Sequence, residues 1–180
     1  MEDLSLHILD VAENSITAGA RNLSIMVRED TRHDLLAIMI EDDGKGMDAD
    51  TVQKAADPFF TSRTTRRVGL GLALLRQAAE AANGTMHIRS TPGTGTTVSA
   101  TFQLSHVDRK PLGGMAETII ALIATSAEID LRYAHTVDGK TVEFDTKEIR
   151  AHLGGIPINS VAALGAIRDH LTQEEHTLAQ

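Results

Sequence analysis

Two short glycine-bearing segments constrain this chain more than anything else in it. Asp42-Asp43-Gly44-Lys45-Gly46-Met47 closes a continuously apolar run, Leu35 to Ile40, and Gly69-Leu70-Gly71-Leu72 opens a helical one. Glycine permits a tight turn and lets the backbone come close to a ligand. Between the two, Asp57 to Val68 is polar and basic apart from Phe59 and Phe60 and has no period of 2 or 3.6, which predicts a mobile loop.

The flanking sequence supplies regular elements. On a helical wheel, Leu4 to Ala18 puts Leu4, Ile8, Leu9, Val11, Ala12, Ser15 and Ile16 on one half and His7, Asp10, Glu13, Asn14 and Thr17 on the other. Asp10 and Asn14 are one turn apart, so both can reach a common point above the helix; a solvated helix face is the plainer reading. Asn22 to Val27 and Leu35 to Ile40 read as strands, the second as an inner one, joined by a polar connection from Arg28 to Asp34. A short helix is expected over Asp48 to Ala56 and a longer one from the second glycine segment to Ala82, stopped by Asn83-Gly84. Thr85 to Ser90 and Thr96 to Leu104 read as strands about a Thr91–Gly95 turn.

After about residue 105 the character changes. Asp108 to Gly114 is a linker candidate, followed by a helix over Met115 to Thr125. Strands at Ile129 to His135 and Lys140 to Phe144 flank Asp138-Gly139, a strong hairpin signal, and helices over Thr146 to Leu153 and Asn159 to Leu171 close the chain. The expectation is a division into 1–105 and a small α+β extension over 106–180.

Composition removes whole classes of function. With 17 Lys and Arg against 25 Asp and Glu, the net charge is −8, which disfavours non-specific attraction to nucleic acid or anionic membrane. There is no cysteine, hence no disulfide, thiolate nucleophile or cysteine zinc site. None of the eight histidines falls in an HExxH pattern. The longest apolar stretch, near Ile119 to Ala124, is far short of the roughly 20 residues that span a membrane, and a cytoplasmic protein is expected. One Tyr, four Phe and no Trp give no stacking platform for single-stranded nucleic acid.

Four separated boxes in order then resemble the ATP-binding domain of the gyrase, Hsp90, histidine kinase and MutL (GHKL) superfamily, most closely histidine kinase catalytic domains, over roughly residues 4 to 104. The resemblance implies the Bergerat fold, an α+β two-layer sandwich of a mixed sheet against helices, with ATP and Mg2+ as ligands. In Leu9-Asp10-Val11-Ala12-Glu13-Asn14-Ser15-Ile16, Asn14 matches the family's magnesium ligand, and an amide oxygen suits that hard cation. Asp10 falls where gyrase-like relatives carry a glutamate base and many histidine kinases an asparagine; it is one methylene shorter than glutamate, and Glu13 is the second candidate base. Asp42 matches the aspartate that reads the adenine amino group, with Gly44 and Gly46 admitting the ring and Met47 lining the pocket. Thr96 matches the threonine beside the adenine.

The third and fourth boxes are Asp57-Pro58-Phe59-Phe60-Thr61 and Gly69-Leu70-Gly71-Leu72. Phe60, Thr61, Gly69, Leu70, Gly71 and Leu72 are expected near the nucleotide, since N–H groups at a helix start favour phosphate oxygens. Arg67 stands where histidine kinases usually have another glycine, and Arg63, Arg66 and Arg67 are candidate phosphate-neutralising cations. Thr17 replaces a cation common three residues after the magnesium asparagine.

Two readings follow. One is an ATPase or phosphotransferase that works in trans on a protein phosphoacceptor, there being no phosphoacceptor helix pair and no room for a sensor before Leu4; an anti-sigma-like serine kinase is a variant of it. The other is a nucleotide-gated module that binds ATP or ADP and regulates a partner without useful turnover. The C-terminal residues are expected to give a dimer or partner surface.

Overall fold

The computed structural model describes residues 2–57 and 70–180. Phe60, Thr61, Arg67 and Gly69 of the expected site lie outside the described residues, as does the expected loop beyond Asp57. Six helices and six strands are described: α1 Leu4–Thr17, β1 Asn22–Asp30, β2 Leu35–Asp42, α2 Ala49–Ala55, α3 Leu70–Ala81, β3 Met86–Thr91, β4 Gly95–Gln103, α4 Met115–Thr125, β5 Asp130–Val137, β6 Lys140–Asp145, α5 Thr146–His152 and α6 Val161–Leu178. The strands form one sheet in the order β3-β4-β2-β1-β5-β6. β1 and β5 are parallel and the other neighbours antiparallel, so the sheet is mixed and the fold α+β, as expected.

Alternation decides which face is covered. Leu23, Ile25 and Val27 of β1, Leu36, Ile38 and Ile40 of β2, and Val98, Ala100 and Phe102 of β4 point to the helical layer and are buried. Leu35 to Ile40 is an interior strand, as its apolar run predicts, yet only one of its faces is covered: Met39 on the other face is 37% exposed. An antiparallel sheet can leave one face to solvent in this way.

The connection after β1 is shorter than its polarity suggests, because pairing continues to Asp30 against Leu35. The turn is closed by Asp34, a non-glycine residue at φ 51, whose carboxylate accepts hydrogen bonds from Ser105 N (2.8 Å), Ser105 Oγ (2.8 Å) and Gln103 Nε2 (2.8 Å). At the β5–β6 hairpin both Asp138 (φ 47) and Gly139 (φ 88) adopt the positive φ that a two-residue turn requires.

Residues after 105 continue the sheet. Leu4 N donates to Pro111 O (2.9 Å) and Ser5 N to Leu112 O (2.7 Å), which ties the start of α1 to the segment before α4. β5 then runs beside β1, and one hydrophobic cluster contains Leu4 and Ile8 of α1, Met115 and Ile119 of α4, Leu131 of β5 and Leu171 of α6.

His7 departs from the helical-wheel reading, which put it on the polar half of α1. It is 1% exposed, and Lys110 Nζ lies 3.1 Å from its Nε2. The segment carrying Lys110 covers that side of α1, so a face that is polar by sequence becomes interior by tertiary packing. Burial, with Lys110 adding to it, lowers the His7 pKa and favours the neutral ring, against the opposing carboxylates of Glu2 and Asp10.

Candidate functional site

A cavity of about 320 Å3 opens between α1, α2, the turn after β2, the start of α3 and β4. Of the residues singled out from the sequence, Asn14, Asp42, Gly46, Met47, Leu72 and Thr96 all line it. They come from four separate segments of the chain.

Asp42 is the most tightly positioned of them. Its Oδ2 accepts from Ser15 Oγ at 2.5 Å, and its Oδ1 accepts from Gly44 N at 2.8 Å. A carboxylate held on both oxygens keeps one orientation, with further lone pairs free to take a donor from the cavity. The neighbouring Asp43 does a separate job: it accepts from Arg21 N (2.8 Å), Asn22 N (2.9 Å) and Asn22 Nδ2 (2.8 Å), pinning the start of β1. Those bonds, chiefly from Asn22, hold the Asp43 carboxyl below its usual range.

Thr96 sits opposite Asp42 in the β2–β4 register. Its Oγ1 is 2.8 Å from Ser90 Oγ, which also accepts from Met47 N (2.7 Å) and donates to Gly95 O (3.1 Å). Ser90 thereby fastens the Met47 turn to the β3–β4 hairpin and leaves Thr96 facing the cavity.

The glycines have structural reasons of their own. Gly46 has φ 69, and a Cβ there would stand 2.0 Å from Thr91 O. Close approach of the Thr91–Pro92 backbone, rather than of a ligand alone, therefore requires glycine at this position. A Cβ on Gly44 would meet Asp42 Oδ1 at 3.0 Å and Ala18 O at 3.1 Å. Gly71 packs α3 onto α1, where an added Cβ would come within 2.8 Å of Asp10 Cβ.

The two candidate bases stand apart from the cavity lining. Asp10 is on the exposed side of α1 beneath the first turn of α3, and Glu13 is exposed with no place in the lining. Desolvation raises the Asp10 pKa; His7 opposes the rise and Glu2 adds to it. Asn14 is half-buried and in the lining, and its side-chain amide makes no hydrogen bond to the described residues. Leu70 is 56% exposed, at the tip of α3.

Several lining residues escaped the sequence reading. Thr51, Lys54 and Ala55 bring α2 into the wall, and Lys45 and Ala18 complete the turn. The 51, 54, 55 spacing is one face of a helix, which was the available signal. Ser15 and Ser90 gave none, because a single serine acquires its partners only through distant segments.

Residues 2–106 match the family described as histidine kinase-, DNA gyrase B- and HSP90-like ATPases. The chain belongs to that family and is an ATP-binding domain of the histidine kinase-like kind. Similar proteins include the sensor protein kinase FleS of Pseudomonas aeruginosa, 38% identical over 110 residues that make up 61% of this chain and 27% of that protein. The non-motile and phage-resistance protein of Caulobacter vibrioides is 35% identical over 112 residues, 57% of this chain and 13% of that protein. The signal transduction histidine-protein kinase AtoS of Escherichia coli is 36% identical over 98 residues, 54% of this chain and 16% of that protein. The matches thus span about a quarter or less of these relatives' lengths. Among solved structures, the N-terminal domain of a DNA repair protein superposes with a TM-score of 0.55 at 15% identity, covering 88% of this chain and 59% of that one, a likeness of fold alone.

Proposed function

We propose that this protein binds ATP with Mg2+ in the cytoplasm and transfers the γ-phosphoryl group to water or to a separate protein. The observation that carries the reading is the Asp42 carboxylate, fixed by Ser15 and Gly44 in a cavity that also receives Asn14 and Thr96. A carboxylate in the wall of a largely apolar cavity suits an exocyclic amino group on a flat base. Asn14 offers an amide oxygen that is uncommitted among the described residues, which fits a magnesium ion whose other ligands are phosphate oxygens and water. Bound Mg2+ would offset phosphate charge during transfer.

Residues of this chain would do the rest. The start of α3, at Leu70, Gly71 and Leu72, presents backbone N–H groups to phosphate oxygens. Asp10, beneath Gly71, is the candidate to accept the proton of the attacking hydroxyl or water, with Glu13 second. Phe60, Thr61, Arg67 and Gly69 keep the nucleotide-side roles that the family resemblance implies. No helix among the described residues is long and apolar enough to cross a membrane.

The position of Asp10 outside the cavity lining favours a second reading, a module that binds nucleotide and regulates a partner without turnover. Incubation with γ-labelled ATP and Mg2+, following free phosphate and protein-bound label, separates the two. Turnover lost in Asp10→Asn and Asn14→Asp supports an enzyme, whereas tight binding with no turnover in the native chain supports the switch. Failure to bind ATP at millimolar concentration defeats both.

A further inference from the structure

The sheet has a second face on which no described helix packs. Three cross-strand rows cross it. The middle row is His87, Ser99, Met39, Met26, Ala134, Glu143, and the row above it is Arg89, Thr97, Glu41, Ser24, Arg132, Asp145. The lower row runs Thr101, Ala37, Arg28, Thr136, Thr141. Met26 and Met39, side by side at the centre, are each 37% exposed. They are flanked by small residues, so the centre is flat and apolar, while the charges lie mostly toward the two edge strands.

We propose that this face binds a second copy of the same chain, sheet against sheet, about a two-fold axis parallel to the strands between β1 and β2. That operation lays β2 on β1, β4 on β5 and β3 on β6 of the second copy. Met39 then meets Met26, Ser99 meets Ala134, His87 meets Glu143, and Arg89 meets Asp145. Arg132 lies over Thr97. No position in the three rows sets like charges opposite each other, which is what a self-complementary isologous interface requires. β3 carries His87 and Arg89 on this face and β6 carries Glu143 and Asp145, so the two edge strands are charge complements. The sandwich geometry, with sheets about 10 Å apart and strands nearly aligned, is an ordinary one.

Size sets the strength. Six strands about 4.8 Å apart and about six residues long give a face of roughly 500 Å2 per copy, or about 1,000 Å2 in total, the lower end of specific interfaces. The dimer is therefore expected to dissociate in the micromolar range. A third of each face comes from β5 and β6.

Sedimentation velocity over a concentration series tests this with the full chain. Native protein should pass from monomer to dimer with rising concentration. His87→Glu, which sets a like charge against Glu143, and Glu143→Arg, which sets a cation against the strand carrying His87 and Arg89, should each weaken dimerisation at least tenfold, and the double variant His87→Glu/Glu143→Arg should restore it. Neither residue lines the nucleotide cavity, so ATP binding and melting temperature should stay at native values in all three, which separates this idea from the proposed function. A native chain that stays monomeric at millimolar concentration overturns the proposal. So does a dimer indifferent to both single variants, or one that the double variant fails to restore.

Discussion

Gly71 on α3 lies directly against Asp10 on α1, with room for no more than a hydrogen at the glycine: a Cβ would stand 2.8 Å from the Asp10 Cβ. The contact sets how close the start of α3 comes to α1, and hence to the cavity that Leu72 and Asn14 share. Gly71→Ala gains up to about 1 kcal/mol in helix propensity but forces the helices apart, at a cost of about 1–3 kcal/mol. Urea denaturation should show net destabilisation, and titration with ATP should show weaker binding.

Gly46 and Gly93 make a matched pair. Both have positive φ, 69 and 77, but a Cβ at 46 would strike Thr91 O at 2.0 Å whereas one at 93 meets nothing within 4 Å. Gly93→Ala should cost about 1–2 kcal/mol, the backbone penalty alone. Gly46→Ala should cost clearly more in thermal denaturation, and should lower ATP affinity because the Met47 turn moves.

Ser15→Ala removes the 2.5 Å bond to Asp42 while leaving the Gly44 bond in place. A hydrogen bond to a charged group contributes about 1.5 kcal/mol or more, so ATP affinity should fall about tenfold. The maximal rate should hold nearly steady, since Asp42 is placed at the base and not at the phosphates. A fall in rate with unchanged affinity would contradict that placement.

Asp10 should trade stability for activity. Its pKa is raised, chiefly by desolvation, so the fold favours the protonated form. The stability this gives is present below the unfolded-state pKa and is lost as pH rises through the folded one. A base must be ionised, so turnover should decline as pH falls through that raised value. Asp10→Asn should therefore abolish turnover while melting temperature at pH 7 stays equal or rises slightly; a marked loss of stability would mean a structural role instead.

Glu175 tests the same sign away from the site. Desolvation raises its pKa, against the opposing hydrogen bond from Tyr133 Oη at 3.3 Å. Stability should increase on mild acidification as Glu175 takes up a proton. Glu175→Gln keeps an acceptor for Tyr133, so it should match or slightly exceed the native melting temperature at pH 7 and flatten the pH dependence on the acid side.

Local chemistry determined most of the secondary structure from the sequence alone. α4 occupies the expected Met115–Thr125, and Asp138-Gly139 makes the expected hairpin, because periodicity and turn preference act over neighbouring residues. The boxes holding Asn14, Asp42, Met47, Leu72 and Thr96 were legible for the same reason: each is a short run whose residue types survive as a pattern. Tertiary structure decided what depends on distant segments. Parallel pairing of β1 with β5 draws residues after 105 into the same sheet as those before it, and long-range pairing leaves no local mark. Burial of His7 under the Lys110 segment reverses a polarity that the helical wheel reads correctly. The hydroxyls of Ser15 and Ser90 fasten the cavity only because folding brings β2, β3 and the Met47 turn together. A hydrogen bond between residues 27 or 43 positions apart has no signature in composition or period, since only the folded chain brings its two ends within reach.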